Sequence, residues 1–145
     1  MDHVAIMNKS WGLLPMILSG KKKIESRWYK NKVAPWGKIQ PGDTIYFKNS
    51  GELITVKADV IKVLSFDNLN PVRVEKILNE YGKDDGIEKK DLENYFNLFK
   101  NKKYCLLIFI DKPQIIPPFE INKKGFGAMV AWICTENIDR LIKMI

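Results

Sequence analysis

The sequence predicts an α+β domain: a small, partly closed mixed β-barrel of five or six strands, with flanking helices and a helical insertion near residues 71–100. Three observations predict it. The 145 residues, 46% of them hydrophobic, fit one domain spanning 1–145 that can bury its own core. Five or six short apolar or β-branched runs are separated by Gly, Pro, Asn and Asp turns. Between two groups of these runs, residues 71–100 change to a helical pattern.

Val4 to Met7 reads as an opening strand. Asn8 to Ser10 offers turn and cap chemistry before a short helix that starts near Leu13, which keeps Pro15 in its first turn, and ends by Gly20. Residues 23–29 read as extended, and 30–42 as a polar loop holding Pro35, Gly37 and Pro41. Thr44 to Lys48 is a strand, Asn49 to Glu52 a hairpin turn, and Leu53 to Phe66 a long or bent strand. Pro71 opens a helix with Val72, Ile77 and Leu78 on its apolar side. A turn at Asp84-Asp85-Gly86 precedes a second helix, Lys90 to Phe99, whose Tyr95, Phe96 and Phe99 form a core-facing stripe.

Tyr104 to Asp111 reads as a strand buried on both faces, with Pro113, Pro117 and Pro118 breaking the chain after it. Met129 to Cys134 is a last strand, with Trp132 in the core. Glu136 to Ile145 closes the chain as a helix carrying Ile138, Leu141, Ile142 and Ile145 on one face.

Cys105 and Cys134 stand in apolar runs and read as small core residues rather than a disulfide pair. With no basic-then-apolar leader and no apolar run of bilayer length, the expectation is a soluble cytoplasmic protein with no membrane partner. A single histidine, His3, excludes a His-based triad or multi-His metal centre within one chain, and no phosphate-loop or dinucleotide fingerprint is present. No metal and no cofactor are expected.

Charge points to a partner. The formal charge is +7, and the segment from Gly20 to Lys38 holds seven basic residues and one acid, so it carries +6. The basic residues are Lys21, Lys22, Lys23, Arg27, Lys30, Lys32 and Lys38, interleaved with Trp28, Tyr29 and Trp36. Cations attract phosphates and aromatic faces stack unpaired bases. The same charge fits an acidic protein partner. If 23–29 is extended, Lys23, Glu25, Arg27 and Tyr29 share one face as a polar row, while Ile24, Ser26 and Trp28 share the inward face.

Gly20, Lys22, Glu25 and Arg27 stand at the spacing Gly-x-Lys-x-x-Glu-x-Arg, followed by Gly42-Asp43 and the strand Thr44-Ile45-Tyr46-Phe47. This pattern resembles the hallmark of the ASCH domain family. The resemblance implies a PUA-like β-barrel with a motif-lined cleft that recognises RNA, single-stranded nucleic acid or a nucleotide-derived small molecule. The motif residues Lys22, Glu25 and Arg27, together with Lys21, Lys23, Tyr29, Lys30, Lys32 and Lys38 of the basic segment, are the expected ligand-binding residues. Some ASCH members resemble amidohydrolases of an acetylated cytidine or ribonucleases. In such an enzyme Lys22 and Glu25 would be catalytic. Glu25, however, takes the place of that amidohydrolase's threonine, and its glutamate finds a match only in Glu80. The resemblance thus favours a binding module, with a hydrolase as the alternative.

Overall fold

The computed structural model describes residues 1–143. Six strands form one mixed, curled sheet: β1 (Asp2–Met7), β2 (Ile24–Tyr29), β3 (Thr44–Asn49), β4 (Ile54–Phe66), β5 (Tyr104–Phe119) and β6 (Trp132–Thr135), in the order β2-β5-β4-β3-β1-β6. β1 and β3 run parallel and the other neighbours antiparallel. The helices are α1 (Leu13–Leu18), α2 (Pro71–Tyr81) and α3 (Leu92–Phe99), with α2 and α3 forming the insertion between β4 and β5. Among the described residues no helix is long and apolar enough to cross a membrane.

Alternation along the strands separates two apolar layers. Leu106, Ile108 and Ile110 of β5 join Ala5, Phe47, Val56 and α1's Ile17 inside the curl. Cys105 and Leu107 face the other way, onto Val74, Ile77 and Leu78 of α2. β5 is therefore buried on both faces, as a central strand carrying a near-continuous apolar run should be. A third cluster joins Val4, Ile54, Ile121, Ile133, Ile138 and Leu141 near the chain ends. Both cysteines are free.

Five local readings need correction. β5 does not stop before its prolines. Its register with β2 runs from Tyr104 to Phe109 and ends with the Ile110 N–H on the Lys23 carbonyl, so from Asp111 onward one edge is free, and Pro113, Pro117 and Pro118 fall outside the paired register with β4. Proline is tolerated at such free edges and irregularities because no ladder donor is lost. Val72 is 76% exposed, since α2 turns Val74, Ile77 and Leu78 inward instead. The last strand begins at Trp132, and Met129 lies 93% exposed in the preceding loop.

The closing segment is not a helix. A 3-10 turn at Ile138–Arg140 is followed by a bridge between Ile142 and Ile121, while Ile145 lies outside the described residues. Asp2 accepts the Ile138 N–H, and Asn122 N–H donates to the Leu141 carbonyl at 2.7 Å. So short a helix cannot offset its nucleation cost against that tertiary pairing.

β2 also differs from the single polar face its alternation suggests. Ile24 and Trp28 pack on the insertion, but Tyr29 packs on the main core and Glu25 is buried, so both faces are covered. At β2 the insertion covers one face and the main core the other.

His3 ties the chain start to β3 and β6. The Trp132 indole N–H donates to its Nδ1 at 3.0 Å, which leaves the proton on Nε2 to donate to Asp43 at 2.8 Å. Burial holds His3 below its ordinary value of 6.5, against the opposing pull of Asp43. The unfolded chain therefore binds this proton first, and stability present above pH 6.5 is lost as pH falls. Urea titrations at pH 7.5 and 5.5 should show that loss. His3→Gln should flatten the dependence while costing about 1–3 kcal/mol at pH 7.5 through unpaired buried groups.

Candidate functional site

The motif is held from two sides. Gly20, at φ +81°, turns the chain out of α1. The Lys22 N–H then bonds the Met16 carbonyl at 3.0 Å, and the N–H groups of Lys23 and Ile24 both donate to the Asp84 carbonyl. The 84–86 turn of the insertion is thereby pinned against the start of β2. Gly86 has φ +82°, a left-handed conformation that favours glycine, and a Cβ there would also crowd Lys22 Cβ at 3.2 Å.

Lys22 is only 3% exposed. Its ammonium donates to Asp85 Oδ1 at 2.5 Å and the Asp85 carbonyl at 2.8 Å, and lies 3.4 Å from Glu25 Oε1. Burial disfavours its charge, yet Glu25 and Asp85 outweigh that and hold the ammonium above its ordinary value. With two hydrogen bonds to Asp85 and an ion pair with Glu25, Lys22 is a fixed cation rather than a free base or nucleophile. The network continues outward. Ser26 Oγ donates to Asp85 Oδ2, and the Trp28 indole N–H donates to Ser26 Oγ at 3.1 Å.

Arg27 completes it. One guanidinium nitrogen lies 3.2 Å from Glu25 Oε2 and another bonds the Ala131 carbonyl at 3.4 Å, while the group sits 5.0 Å from the Trp132 ring centroid. Arg27 thus spans from edge strand β2 to the chain just ahead of the opposite edge strand, β6.

Above these groups opens a cleft of about 250 Å³, walled by Trp11, Leu13, Trp28 and Phe99, with Glu25, Ser26 and Arg27 exposed to it. A smaller recess of about 50 Å³ shares Trp11, Glu25 and Phe99 and reaches Lys22, Asp85 and Tyr95. Trp11 is 46% exposed, with Tyr95 against it edge-on at 6.0 Å, and Phe99 stacks on Trp28 at 4.7 Å. Carboxylate and guanidinium stand side by side beneath an aromatic wall, so the cleft can accept an N–H and donate to a carbonyl of the same flat ligand. Among the described residues no group of three His, Cys, Asp or Glu gathers to hold a metal.

No protein-family model matches the sequence. No curated protein matches it. Solved structures do. The crystal structure of ASCH from Zymomonas mobilis aligns with TM-score 0.66 at 15% identity, covering 98% of this chain and 96% of that one. The N-terminal domain of Staphylothermus marinus McrB aligns with TM-score 0.52 at 14% identity, covering 82% and 76%. The fold is of the ASCH type.

The ASCH fold brings together only part of what its motif suggests. Glu25 and Arg27 line the cleft, and Lys22 lines the recess that shares Glu25 with it. Lys21 and Lys23 point away, into a separate groove. Lys30, Lys32 and Lys38 lie exposed beyond the end of β2, where Lys32 sits over Trp36 and Tyr104 at 6.0 and 5.7 Å. Tyr29 packs on the main core; its buried hydroxyl has no partner, and burial pushes its pKa up to about 12. Glu80 is exposed on α2.

The groups that sequence reasoning missed are Trp11, Ser26, Asp85 and Phe99. Asp85 read as a turn residue because its partner is 63 positions away. A second acid beside Asp84, each with a different orientation demand, was the available signal.

Removing one member of the buried network leaves uncompensated charge. Lys22→Met should cost about 3–5 kcal/mol in urea unfolding, and adding Asp85→Leu should restore much of it. A neutral Lys22→Met would show that Asp85 is not held as an ion.

Proposed function

We propose that this protein binds single-stranded nucleic acid, RNA by preference, by taking one unpaired base into the cleft. The observation that carries the reading is the half-exposed Trp11 lining the same cleft as Glu25 and Arg27. An aromatic face supplies stacking for any base, and the paired carboxylate and guanidinium supply edge recognition. A cleft of about 250 Å³ suits a base and excludes a duplex. The net charge of +7 supports a polyanionic partner, and the resemblance of the motif to ASCH domains supports RNA. Lys22 supports binding over turnover, since an ammonium engaged by two carboxylates organises the cleft floor and has no spare lone pair.

Anisotropy with a short fluorescein-labelled RNA tests this. Affinity should fall steeply between about 50 and 200 mM salt as counterion release is lost. Trp11→Ala should weaken binding roughly tenfold with a far smaller change in Tm than a core truncation gives, because stacking is lost from a half-exposed side chain outside the core clusters. Arg27→Lys keeps the charge but not the paired donors, and should weaken binding more than Lys38→Gln. Trp11→Ala binding as the unaltered protein does would sink the cleft as the base site. A matched DNA strand binding more tightly would remove RNA as the preference.

A further inference from the structure

A groove larger than the cleft lies beside it. It encloses about 690 Å³ on the other side of the 84–88 turn, and Gly86 and Ile87 line both this groove and the small recess that adjoins the cleft. Leu78, Ile87 and Leu92 form an apolar floor, with Asn79 beside it. Exposed Lys21, Lys23, Lys83 and Lys89 ring that floor against two acids, Asp84 and Glu88. Glu88 is engaged by Lys21 at 3.7 Å and Lys90 at 3.4 Å. Among the described residues, Lys23, Lys83 and Lys89 have no carboxylate within ion-pair distance. Three ammonium groups gathered around one apolar hollow repel one another, and an anion placed among them relieves that repulsion.

We infer that this groove is a second binding site, for a nucleoside phosphate, with the base and sugar on Leu78, Ile87 and Leu92 and the phosphate among Lys23, Lys83 and Lys89. A volume of about 690 Å³ lies in the range of small-molecule sites and exceeds what a lone phosphate needs. The apolar floor gives inorganic phosphate nothing and a nucleoside a flat face to cover. The choice of a nucleoside phosphate over an acidic peptide rests on the proposed single-strand function. Its source is either a free nucleotide or a neighbouring nucleotide of the strand held in the cleft.

Amide NMR on the full chain separates these. Adenosine 5′-monophosphate should shift the amides of Asn79, Gly86, Ile87 and Leu92 saturably, and inorganic phosphate should do so far more weakly. The Lys83→Gln/Lys89→Gln protein, altered only at exposed side chains, should keep its spectrum and bind several-fold more weakly, with a salt slope lower by about two. Short RNA shifting groove and cleft amides together assigns the groove to the strand; RNA shifting the cleft alone assigns it to a free nucleotide. If neither nucleotide nor RNA moves the groove amides, or the double variant binds both unchanged, the inference is overturned even where the cleft binds RNA. Polyglutamate competing as well as the nucleotide overturns it too. Groove shifts with nucleotide but no RNA binding at Trp11 would count against the proposed function and not against the groove.

Discussion

A buried ammonium organises this molecule. Lys22 is almost wholly buried, so Asp85 and Glu25 must stand beside it, and they come from distant parts of the chain. Asp85 belongs to the helical insertion and Glu25 to an edge strand of the sheet. An unpaired charge in that position would cost several kcal/mol, so the insertion cannot drift from β2 without breaking the domain. The double acceptance of the Lys23 and Ile24 N–H groups by Asp84, and the lack of a Cβ at Gly86, serve the same close approach.

The same constraint shapes the cleft. Lys22 neutralises the inner side of Glu25 and leaves its other oxygen to Arg27. Arg27 then reaches the Ala131 carbonyl and covers the Trp132 ring, which draws the two edges of the curled sheet together. The polar groups offered to a ligand are thus also those that hold the barrel mouth. In a site built this way recognition is preorganised, because moving the floor means separating buried charges. The walls are freer: Trp11 is exposed and touches the insertion mainly through Tyr95.

Much of the fold was legible in the sequence because strand patterning is local. β1 to β4 stand where their β-branched and apolar runs put them, and α1 begins where Pro15 and Gly20 allow. The failures share one cause. Pro113, Pro117 and Pro118 break a strand only if both edges are paired, and β5 has a free edge there. The apolar residues at 138 and 141 suit a helix face or a 3-10 turn equally, and pairing with Ile121 decided between them. Val72 was assigned to the wrong side of α2 because the helix phase is set by what lies beneath it, and that is Val74, Ile77 and Leu78.

The sequence alone determined the ASCH-type scaffold, the motif of Gly20, Lys22, Glu25 and Arg27, and the concentration of positive charge around it. It determined these because glycine turns, strand alternation and charge runs depend on neighbours a few residues apart. Tertiary structure decided how that charge is divided. One lysine of the basic run is buried against Asp85, two turn into the groove beside the insertion, and three lie beyond the end of β2. It also decided that Trp11 and Phe99, 88 positions apart, wall one cleft. No local pattern encodes which carboxylate will meet a buried ammonium, because that choice is made by electrostatics between segments that only folding brings together.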